Sequence, residues 1–239
     1  LRRLTPIALT GARPPSDTLL THSDKTGVWR WWPFDGNAAE RVGGMDGSRE
    51  GATATTGRFG EPLGALFFDG KSRVRTPQMV PNNSRRFTLE LWLRLDLDAY
   101  GESGEGEQWV VSQTNGNVDA PCDLRVNRPL ETLIFRPGAQ GLEISAHVPG
   151  LGESGRWRHI GATYDDGEMN LYVDGLAVAH HPAAKVAEVQ SNVSQWQGSS
   201  VGQRFGAEKG FLLGAVDELR VHTLSRDAAW FATHVGVPS

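Results

Sequence analysis

The sequence is poor in cysteine and has neither long apolar runs nor blocks of like charge. Cys122 is the one cysteine in 239 residues, which excludes a disulfide within the chain and a zinc site built from several thiolates. No cation adjoins Cys122 in the sequence, so we interpret it as a structural thiol. No stretch approaches the about 20 apolar residues that a membrane-spanning helix needs. The net charge of −4 has no strong asymmetry along the chain, which argues against nucleic acid as a partner.

Several catalytic signatures are missing as well. The sequence contains neither a Gly-x-Ser-x-Gly nucleophile motif nor a phosphate-binding Gly-x-x-x-x-Gly-Lys-Ser/Thr loop. His180 and His181 are adjacent, and one strand cannot direct both toward a single metal ion, so zinc is not expected. The chain begins at Leu1 without a signal peptide, and we expect it to be a module of a longer protein.

What the sequence does have is frequent turns between alternating segments. It contains 29 glycines and 13 prolines, which suit the many turns of an antiparallel sheet protein. The clearest alternating segment is residues 86–97, "RFTLELWLRLDL", where apolar positions from Phe87 to Leu95 alternate with Thr88, Glu90, Trp92, Arg94 and Asp96. This period of two predicts a strand, because a helix would not maintain it. The spacing of such segments predicts an all-β sandwich or barrel.

Residues 157–178, "WRHIGATYDDGEMNLYVDGLAV", predict a hairpin. Its turns are expected at 165–167, Asp-Asp-Gly, and at 174–175, Asp-Gly, where the acidic side chains cap the turn backbone. Trp157 and Ile160 are expected to point into the sandwich. We interpret His159 as a hydrogen-bonded core histidine.

The two ends of the chain differ from the middle. Residues 1–27 contain Pro, Ser, Thr and charged residues without periodicity, which predicts a linker or an N-terminal arm. Residues 224–234, "LSRDAAWFATH", predict one short C-terminal helix, with Ser225 or Thr223 as its cap and Asp227 near its positive end. One domain is predicted over 28–232, followed by a C-terminal tail at 233–239.

Five segments occur in a recognisable order: "WPFDG", "GRFGEPLGALFFDGKSRV", "FTLELWLRL", "GRWRHIGATYDDGEMNLYVDGLAV" and "GFLLGAVDELRVHTLSRDAAW". Over about residues 28–232 the chain resembles the laminin-G-like, concanavalin A-like jelly-roll domains of bacterial extracellular proteins. The resemblance implies a two-sheet antiparallel jelly-roll sandwich with some six or seven strands in each sheet. It also implies an extracellular, cell-surface or periplasmic location. The acidic, glycine-rich loop at 98–108 departs from the family pattern, and such loops are where specificity is set.

A glycosidase on this fold would need two carboxylates facing one sugar, about 5–5.5 Å apart for retention and farther apart for inversion. The Glu-x-Asp-x-x-Glu type of motif that retaining jelly-roll glucanases use is absent. Glu90, Asp96 and Asp98 share one face of the predicted strand and are the best catalytic candidates. A solvated polar face or a ligand-binding sheet explains the same residues, so we favour a protein that is not an enzyme.

A structural calcium ion is a further expectation, because Ca²⁺ takes several hard oxygen ligands and turn carbonyls can supply some of them. Related jelly rolls often hold one such ion, and the resemblance assigns its ligands to Asp35, the carbonyl of Gly70, and Asp217. The alternative is that Asp35 and Asp69 only build turns, while Asp217 pairs with an arginine such as Arg73.

Sugar binding requires an aromatic ring that can stack on the sugar and polar side chains that can bond its hydroxyls. Residues of these types lie in or beside predicted loops: Tyr100, Trp109, Gln195, Trp196 and Arg204. Each of them could serve packing instead. Trp196, in "NVSQWQGSS", is the most interesting because its neighbours are small and polar.

These observations favour a non-catalytic, lectin-like module of a larger secreted bacterial protein. It would recognise a poly- or oligosaccharide, or another surface ligand, beside neighbouring domains of a longer chain. Two alternatives remain. One is a jelly-roll glycoside hydrolase or polysaccharide lyase, and the other is a structural spacer or protein-interaction domain.

Overall fold

The computed structural model describes residues 27–81, 84–96, 106–113, 122–127, 129, 131–138, 142–182 and 198–235. Within these residues the chain forms short strands and one helix. The strands are Val28–Trp32 (β1), Ser48–Glu50 (β2), Thr53–Thr55 (β3), Ala65–Asp69 (β4), Arg73–Thr76 (β5), Arg86–Leu95 (β6), Glu107–Gln113 (β7), Cys122–Asn127 (β8), Thr132–Pro137 (β9), Ile144–His147 (β10), Trp157–Asp165 (β11), Glu168–Val173 (β12), Leu176–His181 (β13), Ser199–Val201 (β14) and Leu213–His222 (β15); the helix is Ala228–His234 (α1).

The strands form two antiparallel sheets, which confirms the predicted sandwich. The seven-stranded sheet has the order β10-β9-β8-β7-β14-β5-β2, and the eight-stranded sheet has the order β13-β12-β11-β6-β15-β4-β3 with β1 also paired to β15. β15 has two partners on the edge opposite β6, and its register with β6 shifts between Asp217 and Arg220. Residues 213–216 pair with β4, and residues 219–222 pair with β1. This double pairing gives one sheet more strands than expected.

The hydrophobic core lies between the two sheets, and β6 shows how the sequence positions it. The apolar side chains of β6 face inward and are buried: Phe87, Leu89, Leu91, Leu93 and Leu95. They meet residues from β8, β9, β11 and β15, for example Phe135, whose ring lies edge-on to that of Phe87. Burying each such side chain contributes about 1.5–3 kcal/mol to stability. A slip of one residue in the pairing of β6 would turn all of these side chains outward, so the alternation fixes the register of the strand as well as its buried face.

Both turns of the predicted hairpin are present. β11 ends at Asp165 and β12 begins at Glu168, while Asp166 has a φ of 47° and Gly167 a φ of 101°. The next turn likewise has positive φ at Asp174 and Gly175. Two consecutive left-handed residues match the twist of a two-residue hairpin, and Asp and Gly tolerate that conformation.

Two local predictions were wrong. Ile160 is in the core, but Trp157 is not, because residues three apart in a strand lie on opposite faces. Trp157 instead lies beneath the guanidinium of Arg94 on the outer surface. The helix cap is Asp227, whose carboxylate accepts a hydrogen bond from the backbone N–H of Trp230 at 2.9 Å.

Three of the strands, β2, β3 and β14, are only three residues long. None of the helices in the described ranges is long and apolar enough to cross a membrane. Cys122 is buried, and burial raises the pKa of its thiol, as expected for a structural cysteine. Residues 1–26, almost all of the predicted arm, lie outside the described residues.

Candidate functional site

A polar surface lies on the outer face of the seven-stranded sheet, around Trp109, and is called here the Trp109 face. A register shift in β7 between Trp109 and Val111 creates it. Val110 and Val111 both belong to the core, whereas Trp109 pairs with Arg125 on the outer face. The bulge therefore turns a large aromatic side chain outward from a strand whose neighbouring residues point inward.

A loop at 202–212 lies across the Trp109 face and is attached to β7 at both ends. The N–H of Gly202 donates to the carbonyl of Val110 at 3.0 Å, and the N–H of Trp109 donates to the carbonyl of Gly210 at 2.9 Å. Gly210 packs directly on the Trp109 ring, and its φ of 66° and the lack of room for a Cβ both require glycine. As a result, Trp109 is only 8% exposed.

Side chains of β7 and β14 hold the middle of this loop. The hydroxyl of Ser112 accepts from the N–H of Phe205 at 3.1 Å, and the hydroxyl of Ser200 donates to the carbonyl of Gln203 at 2.7 Å. The amide of Gln203 donates to the carbonyl of Ala207 within the loop. These bonds fix the loop backbone, so the positions of its outward side chains are set in advance.

Two arginines contact the ring of Trp109. The Arg204 guanidinium carbon lies 5.6 Å from the ring centroid, and that of Arg125 lies 5.7 Å from it. At these distances each cation is attracted by the ring quadrupole. Arg125 also binds Asp123 at 2.7 Å and Glu143 at 2.8 Å. Arg204 and Trp109, predicted separately as ligand-binding residues, are therefore in contact.

Arg125 has a third carboxylate partner in Glu107, at 3.3 Å, and the first two, Asp123 and Glu143, differ in protonation behaviour. Asp123 is almost fully buried, and burial raises its pKa despite the opposing charge of Arg125. Burial also acts to raise the pKa of Glu143, but its hydrogen bonds from Arg125 and Arg136 outweigh that effect and lower it. The guanidinium of Arg125 thus donates charge-assisted hydrogen bonds to both Asp123 and Glu143.

A second polar cluster lies on the outer face of the eight-stranded sheet, beneath α1 and the segment 57–61, and is called here the covered face. Glu90 is 1% exposed and accepts from Nε2 of His222 at 2.9 Å and from Nε1 of Trp230 at 3.1 Å. Burial acts to raise the pKa of Glu90, but the bond from His222 and the charge of Arg220 hold it well below its ordinary value.

The predicted catalytic residues do not converge. Asp96 lies six residues from Glu90 in extended chain, which corresponds to about 20 Å, beyond the spacing that one sugar requires. Glu90 is covered by the Trp230 side chain of α1. Asp98 lies outside the described residues. The geometry gives these carboxylates no common substrate.

The covered face continues to the predicted calcium ligands. Asp217 is fully buried, and its Oδ2 lies 2.5 Å from Nη1 of Arg58, a different partner from the predicted Arg73. The N–H of Gly70 binds the carbonyl of Leu212, five residues before Asp217 along an extended chain, so Gly70 and Asp217 are about 15 Å apart.

Ligands of one Ca²⁺ lie within about 2.3–2.6 Å of the ion, so Gly70 and Asp217 cannot share it. Asp35 lies closer to Asp217 than to Gly70, since the carbonyl of Pro33 accepts from the N–H of Glu218. The residues present do not fit the expected calcium site. In the part of the chain that the structure describes, no three His, Cys, Asp or Glu side chains are grouped to hold a metal ion.

Other ligand-binding predictions remain open or need extension. Tyr100, Gln195 and Trp196 lie outside the described residues. Arg125 and Phe205 were missed, although β8 alternates inward Cys122, Leu124 and Val126 with outward polar residues. That alternation was the signal for Arg125, whereas no sequence pattern marks the half-buried Phe205.

Comparison with known proteins agrees with the two-sheet fold. Residues 68–230 match the family model described as the concanavalin A-like lectin/glucanases superfamily. Pappalysin-1 of Mus musculus is 29% identical over 133 residues, and that of Homo sapiens is 31% identical over 133 residues. Each alignment covers 49% of this chain, and the chain spans only 8% of either pappalysin.

Solved structures with the same fold have low sequence identity. Domain 4 of AbnA, a GH43 extracellular arabinanase from Geobacillus stearothermophilus, in complex with arabinotriose, has a TM-score of 0.63 and 14% identity, covering 86% of this chain and 96% of that one. A Trypanosoma rangeli sialidase in complex with the inhibitor DANA has a TM-score of 0.65 and 16% identity, covering 94% of this chain and 36% of that one. The botulinum neurotoxin serotype D binding domain has a TM-score of 0.63 and 8% identity, covering 87% of this chain and 51% of that one.

Proposed function

The chain belongs to the concanavalin A-like lectin/glucanases superfamily, and from that premise we propose that it is a non-catalytic carbohydrate-binding module of an extracellular protein. Its ligand surface is the Trp109 face. The observation that carries the proposal is the fixed loop at 202–212, which presents Arg204 and Phe205, both half-buried, on the outer face of the seven-stranded sheet. AbnA domain 4, a neighbour in fold, was solved with arabinotriose and belongs to an extracellular arabinanase.

Phe205 is the better stacking ring in this proposal. The ring of Trp109 is covered by Gly210 and flanked by two guanidinium groups, which leaves little of its face for a sugar. Phe205 is more exposed and lies beneath Arg75, whose guanidinium carbon is 5.6 Å from the Phe205 centroid. Trp109 then supports the site from below, while Phe205 contacts the ligand.

An array of neutral and acidic glycans, probed with and without Ca²⁺, tests the proposal. Phe205→Ala should weaken retention on a bound glycan by several-fold to about tenfold, with little change in Tm, because it removes one stacking contact. Leu176→Ala is the matched control, since Leu176 is a 54% exposed apolar residue of the other sheet. Retention of no glycan at all, or equal loss in both variants, would reject this surface.

A glycosidase is the second candidate, and one observation favours it. Asp123 and Glu143 bind the same guanidinium, and their pKa values shift in opposite directions, as those of an acid and a nucleophile do. Against it, Arg125 occupies the space between the two carboxylates. Hydrolysis of any polysaccharide in a panel, abolished by Glu143→Gln with the fold intact, would establish the enzyme and replace the binding proposal.

A further inference from the structure

Arginine is abundant on the Trp109 face, and the pairing of these arginines is uneven. Most of them bind carboxylates: Arg73 with Glu50 and Glu208, Arg75 with Glu50, Arg125 with Asp123 and Glu143, and Arg136 with Glu143. Arg204 differs from them. Its guanidinium has no ion pair or hydrogen bond with any described residue, and its contact is with the Trp109 ring.

The position of Arg204 is nevertheless well defined. Its carbonyl accepts from the N–H of Ala207 at 3.3 Å, and the next residue, Phe205, is bonded to Ser112. Stacking on an aromatic ring engages the flat face of a guanidinium and leaves its N–H edges available. Arg204 is half-buried, so those edges lie at the surface of the site and not in bulk solvent.

A guanidinium with free edges matches a planar oxyanion, because two parallel N–H donors can bond two oxygens at once. A neutral hydroxyl can accept from one of these donors, but only an oxyanion adds charge to the hydrogen bond and accepts two of them in parallel. The described carboxylates Glu50, Asp123, Glu143 and Glu208 already bind other arginines on this face. An anionic ligand would therefore supply the partner that none of the described residues provides for Arg204.

We propose that Arg204 makes the module selective for acidic glycans, by binding the carboxylate of a uronic-type sugar or the sulfate of a sulfated one. This inference rests on the proposed carbohydrate-binding function and names its ligand class. Phe205 stacks on the sugar ring while Arg204, the preceding residue, binds its anionic group. The loop at 202–212 is thus the specificity-determining element of the module.

The test uses matched pairs of polysaccharides and affinity electrophoresis. Polygalacturonate, alginate and hyaluronan are compared with their carboxyl-reduced forms, and dextran sulfate is compared with dextran. We expect the carboxylated or the sulfated set to bind, and the neutral counterpart to bind at least about tenfold more weakly. Which set binds identifies carboxylate or sulfate as the anion.

Arg204→Gln should weaken binding of the acidic polysaccharide by about 10- to 100-fold, the range for a lost charge-assisted hydrogen bond. Arg204→Lys should recover part of it, since lysine keeps the charge without the fork. Lys209→Gln is the control, because Lys209 is exposed in the same loop and its loss changes the net charge equally.

Three outcomes would overturn the inference. Equal binding of neutral and acidic forms would reject selectivity while leaving carbohydrate binding in place. Equal weakening by Arg204→Gln and Lys209→Gln would show general electrostatic attraction without a site at Arg204. Binding of no polysaccharide, on this panel and on the array, would reject the proposed function together with the inference.

Discussion

The buried ion pair between Arg58 and Asp217 provides the sharpest test of how this sandwich is stabilised. Arg58 lies in the segment 57–61, and its Nη1 is 2.5 Å from Oδ2 of Asp217. Its Nη2 is 3.9 Å from Oε1 of Glu218, and its guanidinium lies over the ring of Trp92. Both side chains of the pair are almost completely buried. Arg58→Ala would therefore leave the Asp217 carboxylate in the protein without its cation.

Removing one partner of a buried pair costs about 3–5 kcal/mol, because the remaining charge stays desolvated and loses its counterion. For a domain of this size each kcal/mol lowers Tm by about 2–4 °C, so Arg58→Ala should lower Tm by about 6–20 °C. Adding Asp217→Asn to Arg58→Ala removes the stranded charge and should recover part of the loss.

Urea unfolding followed by tryptophan fluorescence measures the change in the free energy of unfolding at constant pH, and thermal unfolding measures the change in Tm. Arg156→Ala is the control, since Arg156 binds Glu153 at 3.0 Å on the surface, and such pairs contribute about 0–1 kcal/mol. If Arg58→Ala were no more destabilising than Arg156→Ala, the covered face would not depend on this pair. Failure of Asp217→Asn to recover any stability would show that the loss comes from packing instead of charge.

Three further variants test the covered face and the hairpin, each by chemical denaturation. Burial lowers the pKa of His159 from 6.5 to about 4. As the pH falls through this window, the unfolded chain takes up a proton at this residue that the folded protein does not, so the folded protein loses about 2–3 kcal/mol of unfolding free energy between pH 7.5 and 4.5. His159→Phe should abolish that loss. An unchanged pH slope would contradict that. Gly161→Ala should lower the free energy of unfolding by about 1–3 kcal/mol, since its Cβ would overlap the Phe231 ring of α1. An unchanged free energy of unfolding would mean that the helix adjusts. Asp174→Ala should cost about 1–3 kcal/mol more than Asp166→Ala. Both residues have positive φ, but the Asp174 carboxylate accepts partly buried bonds from Arg158 and from the N–H of His159, whereas the Asp166 carboxylate accepts an exposed one from Arg85; equal costs would refute this reasoning.

The strands and turns of this fold could be predicted because their signals are local. The alternation of β6 fixes which side chains enter the core, and the Asp-Gly pairs fix two tight turns. Family resemblance added the two-sheet arrangement. The error at Trp157 came from overlooking the alternation of strand side chains: Trp157 and Ile160 are three residues apart, so a strand cannot direct both of them inward.

The burial of the outward positions of β6 could not be predicted from its own sequence. Glu90 and Trp92 alternate with core leucines, a pattern that is typical of a solvated or ligand-binding face. They are buried because α1 and the segment 57–61, distant in the sequence, pack over them. The partner of Asp217 could not be predicted for a related reason: Arg58 approaches it from a segment 159 residues away, and no local pattern shows it.

The two outer faces of the sandwich differ at Arg204, and this difference is the reason for placing the proposed ligand site on the Trp109 face. A buried charge must be paired, so on the covered face Arg58 binds Asp217 and Arg220 binds Glu218. On the Trp109 face a half-buried cation can remain without a counterion, because water still reaches its edges. Ligand binding would displace that water and strengthen the interaction with Arg204, since electrostatic attraction grows as solvent is excluded. The covered face offers a ligand no such gain, because its charges are already paired and desolvated in the folded protein.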